Sequence, residues 1–121
     1  MVTEAQRTLT VTHRSHPAGP IVLHLDGELD YHTAPRLSRA LDEITFSAGT
    51  DVILDVTELA YCDSTGLTVL ISANQRAEAG GARFGIAGLS RDLRRVFTIV
   101  GLDQFFTLYA STEEAVEQLG R

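Results

Sequence analysis

The chain has 121 residues, 44% of them apolar and 21% charged, with ten basic residues against sixteen acids for a net charge of −6. That length supports one core of ordinary size, and the composition excludes disordered, collagen-like and fibrous classes. The acidic balance argues against a free-standing nucleic-acid or anionic-membrane binder, which needs a cationic field.

From the N-terminus, MVTEAQRTLTV carries an acid and no long apolar run, so no signal peptide is expected. No apolar stretch approaches the ~20 residues of a membrane helix. Cys62 is the single cysteine and can close neither an internal disulfide nor a thiolate metal cage, which points to a reducing, cytoplasmic setting.

Leu9, Val11 and His13 alternate with Thr8, Thr10 and Thr12 at the period of a half-buried strand. His16-Pro17-Ala18-Gly19-Pro20 breaks it, and Ile21 to Leu25 reads as a second strand, so residues 7–26 form an antiparallel hairpin. The acidic segment Asp26 to Asp30 leads out. Thr33 is placed to cap a helix with Pro35 in its first turn, an apolar stripe of Leu37, Ala40, Leu41 and Ile44, and Gly49 past its end. Asp51 to Val56 is a nearly continuous branched apolar run, suited to a central strand buried on both faces.

A turn through Thr57 and Glu58 then leads to a helix starting at Asp63 or Ser64. Leu67, Leu70, Ile71, Asn74 and Ala77 mark its inner face, and Gly80-Gly81 ends it. Arg83 to Ala87 is a further strand. Ser90 caps a helix carrying Leu93, Val96, Phe97 and Val100 inward, closed by Gly101. Phe105 to Tyr109 reads as a last strand, and Thr112 opens a final helix with Ala115, Val116 and Leu119. The order β-β-α-β-α-β-α-β-α implies one α/β domain over 1–121, with a mixed sheet, an N-terminal hairpin and about four helices.

The chemistry concentrates in Leu59 to Leu67, where a strand runs into Asp63-Ser64-Thr65-Gly66 at a helix entrance. The first N–H groups of a helix lack internal partners, and the macrodipole puts partial positive charge there. A phosphate on Ser64 would be tolerated at such a point, and Gly66 would clear space for an approaching partner. The same letters also suit an ordinary helix cap, since Asp and Ser are the commonest N-caps.

Other chemistries fit less well. Ser64 lacks the glycines of a nucleophile elbow, and the chain has no lysine for a phosphate-cradling loop. Ser64-Thr65 between Asp63 and Gly66 adds a residue to the acidic-protease pattern. Cys62 reads as an inert buried thiol. His13, His16, His24 and His32 show no metal-ligand spacing, although His13 and His24 could face each other across the hairpin. Asp26, Glu28 and Asp30 read as a solvated acidic loop. No cofactor, metal or catalytic centre is expected.

Leu25-Asp26-Gly27-Glu28-Leu29-Asp30-Tyr31-His32-Thr33-Ala34, then Val52 to Val56, then Asp63-Ser64-Thr65-Gly66-Leu67, together resemble the bacterial anti-sigma factor antagonists. These are free-standing domains of the sulphate transporter and anti-sigma antagonist (STAS) type. The stretch from Gly80-Gly81 through Arg95-Val96-Phe97 to Gly101-Leu102 is similar to the family's third helix region, so the likeness spans about residues 7 to 119. It implies a partner switch. The unmodified protein binds an anti-sigma factor and frees the sigma factor. The anti-sigma factor, an ATP-dependent Ser kinase, phosphorylates the antagonist and ends the interaction, and a metal-dependent Ser/Thr phosphatase resets it.

By position Ser64 matches the phosphoacceptor, Asp63, Thr65, Gly66 and Leu67 its surround, and Asp30 an acidic residue near that serine. Thr65 offers a second hydroxyl, so residue type alone leaves the acceptor open. Two other readings stand beside this one. A STAS domain can serve as an accessory or scaffold subunit of a transport or stress-signalling complex, and a small hydrolase or nucleotide-binding enzyme could use Ser64 or Asp63.

Overall fold

The computed structural model describes residues 8–119. Arg7, where the sequence pattern starts the hairpin, and the N-terminal stretch before it lie outside the described residues. The elements are β1 (Leu9–Ser15), β2 (Ile21–Leu29), α1 (Ala34–Asp42), β3 (Asp51–Cys62), α2 (Ser64–Gly80), β4 (Arg83–Ala87), α3 (Arg91–Ile99), a 3-10 turn (Leu102–Gln104), β5 (Leu108–Tyr109) and α4 (Thr112–Leu119). The five strands lie in the order β1-β2-β3-β4-β5, with β1 antiparallel to β2 and all later pairs parallel. The β-α alternation and mixed sheet are as the sequence predicts.

Strand alternation divides the core in two. Leu23, Leu25, Val52, Leu54, Val56, Phe84 and Ile86 point to the side covered by α1, α2 and α3, where Leu37, Leu41, Leu70, Ala73, Leu93 and Phe97 meet them. Val22, Ile53 and Ala87 point the other way, against Ala115, Val116 and Leu119 of α4. β3 is therefore buried on both faces, which explains its unbroken apolar run.

Several boundaries differ from the sequence reading. β2 continues through Asp26-Gly27-Glu28 to Leu29 instead of ending at Leu25. Gly27 makes this possible: its φ of 126° and the Thr8 carbonyl beside it leave no room for a Cβ. β3 likewise runs on through Thr57 and Glu58 to Cys62, with a shift in its register against β2 between His24 and Asp26. The Asp55 carboxylate accepts from Thr57 N–H at 3.0 Å, so the turn-like residues mark an irregularity within the strand and not its end.

α1 stops at Asp42, well before Gly49. The following loop lays the Phe46 carbonyl against Gly80, a tertiary contact that only glycine permits. Thr33 does not cap α1 with its side chain; its hydroxyl donates to the Glu28 carbonyl at 2.8 Å and accepts from Asp30 N–H at 2.9 Å. β5 is only Leu108–Tyr109, because the 3-10 turn takes the chain up to Phe105. Val96 and Val100, expected to face inward, are exposed, and α3 packs through Leu93 and Phe97. His24 sits opposite Thr12, so His13 and His24 do not face each other in the hairpin register.

Candidate functional site

β2 and β3 end side by side at Leu29 and Cys62, and each is followed by a short loop into a helix. The two loops are tied together. Asp63 N–H donates to the Leu29 carbonyl at 3.0 Å, and Tyr31 N–H donates to Asp63 Oδ2 at 3.1 Å.

Asp63 is the N-cap of α2, extended at φ −96° and ψ −175°, and its Oδ1 accepts from Gly66 N–H at 2.9 Å. Such a cap stabilises a helix by about 1 kcal/mol, and the negative carboxylate also complements the dipole. Ser64 is thus the first helical residue. Both Ser64 and Thr65 are exposed, and the Ser64 carbonyl is fastened by the Thr68 hydroxyl at 2.9 Å.

Gly66 does something other than the sequence suggests. It is buried, and a Cβ there would stand 2.7 Å from Leu29 Cγ and 2.9 Å from Cys62 Sγ. The missing side chain lets α2 sit down on the ends of β2 and β3, and does not open the outer surface. Leu67 is half-buried and packs against the main core.

Asp30, directly after β2, is only 6% exposed. Its carboxylate accepts from His32 N–H at 2.9 Å, Thr33 N–H at 3.0 Å and the Thr33 hydroxyl at 3.3 Å. Burial pushes this carboxyl up, but the Thr33 and His32 N–H bonds, the Thr33 hydroxyl and the His32 ring outweigh it and hold it below the ordinary range. Asp30 therefore shapes the β2–α1 loop from inside. It is no part of a solvated acidic face.

Burial, with Asp63 adding to it, pushes the Cys62 thiol up to about 12, and its S–H donates weakly to the Asp63 carbonyl at 3.6 Å. The inert reading of Cys62 fits this.

The sequence reading assigns no role to the aromatic flank of the site. Tyr31 is 64% exposed and stacks on His32 with ring centroids 4.1 Å apart, and Tyr61 is also exposed. Tyr31 and His32 lie in the loop after β2 and Tyr61 at the end of β3, just before Asp63, and the signal in the sequence is an aromatic pair between a strand end and a helix start. Among the described residues no group of three or more His, Cys, Asp or Glu is arranged to hold a metal ion. No described helix is long and apolar enough to cross a membrane.

A mixed sheet with three helices on one face, one on the other, and a capped hydroxyl pair at the start of the helix after the central strand defines a recognisable class. The STAS domain family model matches residues 9–115, and the chain belongs to that family. It is 29% identical over 112 residues to the anti-sigma-F factor antagonist RsfB of Mycobacterium tuberculosis, covering 93% of this chain and 90% of that one. It is 35% identical over 89 residues to the anti-sigma-B factor antagonist of Listeria monocytogenes, covering 70% and 78% of the two chains. The crystal structure of an anti-sigma factor antagonist from Mycobacterium paratuberculosis superimposes over the full length of both chains with a TM-score of 0.84 at 22% identity. Each of these three relatives carries the name of an anti-sigma factor antagonist.

Proposed function

We propose that this chain is an anti-sigma factor antagonist whose docking is switched by phosphorylation of Ser64. The observation that carries the reading is an exposed hydroxyl on the first residue of α2, beside an Asp63 cap that is already satisfied. The names of the relatives support the antagonist role. In this account the unmodified protein binds an anti-sigma factor and releases the sigma factor. That partner carries an ATP-dependent Ser kinase activity, and a metal-dependent Ser/Thr phosphatase restores the free hydroxyl.

The physical effect of the phosphate separates fold from interface. A phosphoserine brings about −1.5 to −2 charges, and at a helix start the dipole stabilises it by ~0.3–1 kcal/mol. The cap and the inward packing of Gly66 do not involve the Ser64 hydroxyl, so the domain keeps its structure. At a docked surface the same charge, desolvated without a cation, costs about 3–5 kcal/mol. Since 1.4 kcal/mol is tenfold, that weakens binding by roughly a hundred- to several-thousand-fold. Asp63 makes the local field more negative and adds to the mismatch.

Incubation with the anti-sigma kinase and ATP, followed by site-resolved mass analysis, tests the assignment. One phosphoryl group on Ser64 is expected. A phosphoryl group on Thr65, or unaltered modification of Ser64→Ala, contradicts it.

A further inference from the structure

α3 carries a surface of its own, on a different element from the helix that holds Ser64. Its outer side carries Arg91, Arg94 and Arg95 with the single acid Asp92, so three of the chain's ten basic residues fall within nine positions of a protein whose net charge is −6. All three arginines are exposed, and none has a carboxylate partner among the described residues. Ile99 is 75% exposed and Val100 54%, with Val96 and Phe105 beside them in the chain and also exposed. Arg91, Arg95 and Ile99 follow one another at four-residue spacing, on the side of the helix away from buried Leu93 and Phe97.

We infer that this face docks an acidic, apolar segment of a partner protein. Its carboxylates meet Arg91, Arg94 and Arg95, and its aliphatic or aromatic side chains cover Val96, Ile99 and Val100. Arginine beside exposed aliphatic surface is the composition of an interface centre, where the fork of a guanidinium grips carboxylate. The two other occupants of such a surface fit less well. A two-fold pairing of α3 with α3 from a second copy gathers six arginines in one interface with only two acids, the Asp92 of each copy. An anionic membrane attracts the helix but repels the acidic body that carries it.

The test uses the full-length protein and a synthetic helical peptide of about twenty residues, above the ~12–15 below which an isolated helix is marginal. The peptide carries Glu at four-residue spacing and Leu on the adjoining stripe, and its isomer carries Lys at the Glu positions. Saturable amide shifts confined to Arg91–Phe105 are expected with the Glu peptide, together with loss of affinity as salt is raised. Arg95→Glu and Ile99→Asp should each weaken binding by about tenfold or more, on chains whose remaining amide spectrum is unchanged. Arg91→Glu serves as the second charge variant if Arg95→Glu disturbs the fold. Equal binding of the Lys isomer overturns the inference, as does the absence of saturable shifts or their location elsewhere. It is also overturned if phosphatidylglycerol vesicles or a second copy of the chain occupy α3 in place of the peptide.

Discussion

Asp63 holds the backbone of Tyr31, 32 residues earlier in the chain, through one carboxylate oxygen, while the other caps α2 at Gly66. A single side chain therefore fixes both the start of the helix that carries Ser64 and the loop that carries the exposed tyrosine. Replacing Asp63 with Ala removes a cap and a charge-assisted bond to the Tyr31 amide, and should cost about 2 kcal/mol. Asn offers one acceptor oxygen in place of two, so Asp63→Asn should lose roughly half as much. Urea unfolding of the two variants measures the difference; equal losses would mean that the single amide oxygen of Asn preserves neither bond.

Gly66→Ala tests whether that glycine packs inward. Alanine gains up to ~1 kcal/mol of helix propensity over glycine. Its methyl would stand 2.7 Å from Leu29 Cγ, and overpacking of this kind costs about 1–3 kcal/mol. Net destabilisation is expected in denaturant titration, with the Leu29 and Cys62 resonances shifted. A stabilised Gly66→Ala would show that the close approach is easily relieved.

Acid should unfold the protein partly through Asp30 and Asp55. Burial raises both carboxyls, but the hydrogen bonds from Thr33 and His32 at Asp30, and from Thr57 at Asp55, leave each below the ordinary 3.8. As pH falls the unfolded chain then takes up protons first. The stabilisation is complete above 3.8 and is lost as pH drops through the native values. Asp30→Asn and Asp55→Asn should each flatten the acid limb of stability against pH while leaving its slope near neutrality unchanged. A wild-type slope in either variant would remove that carboxyl from the account.

Cys62 should resist alkylation. With its thiol pushed from 9.0 up to about 12, the thiolate fraction at a given pH below both values falls by about a thousandfold. Iodoacetamide at mildly alkaline pH should therefore label the native protein far more slowly than the urea-unfolded chain. Comparable rates would show Cys62 to be open and reactive.

The order of elements was legible because each carries its own period: alternation in β1, the doubly buried run of Val52 to Leu54, and helical stripes closed by glycine at Gly81 and Gly101. What the sequence hid was set by contacts between distant segments. Glu28 and Tyr61 extend their strands because β2 and β3 pair past local turn signals, and α1 ends where the Phe46 loop crosses Gly80. At the candidate site, the start of α2 at Asp63-Ser64 could be read from capping chemistry alone. The burial of Asp30 and the inward duty of Gly66 could not, since both depend on what the neighbouring loop places against them.

The central claim is that one phosphoryl group on Ser64 ends docking without altering the domain. Titration calorimetry of the unmodified and Ser64-phosphorylated proteins against the anti-sigma factor tests it most directly, with amide spectra of both forms recorded alongside. The account predicts a loss of roughly a hundred- to several-thousand-fold in affinity, with amide changes confined to the α2 entrance and the Tyr31 loop. Undiminished binding of the phosphorylated form, or loss of binding through unfolding, would contradict it.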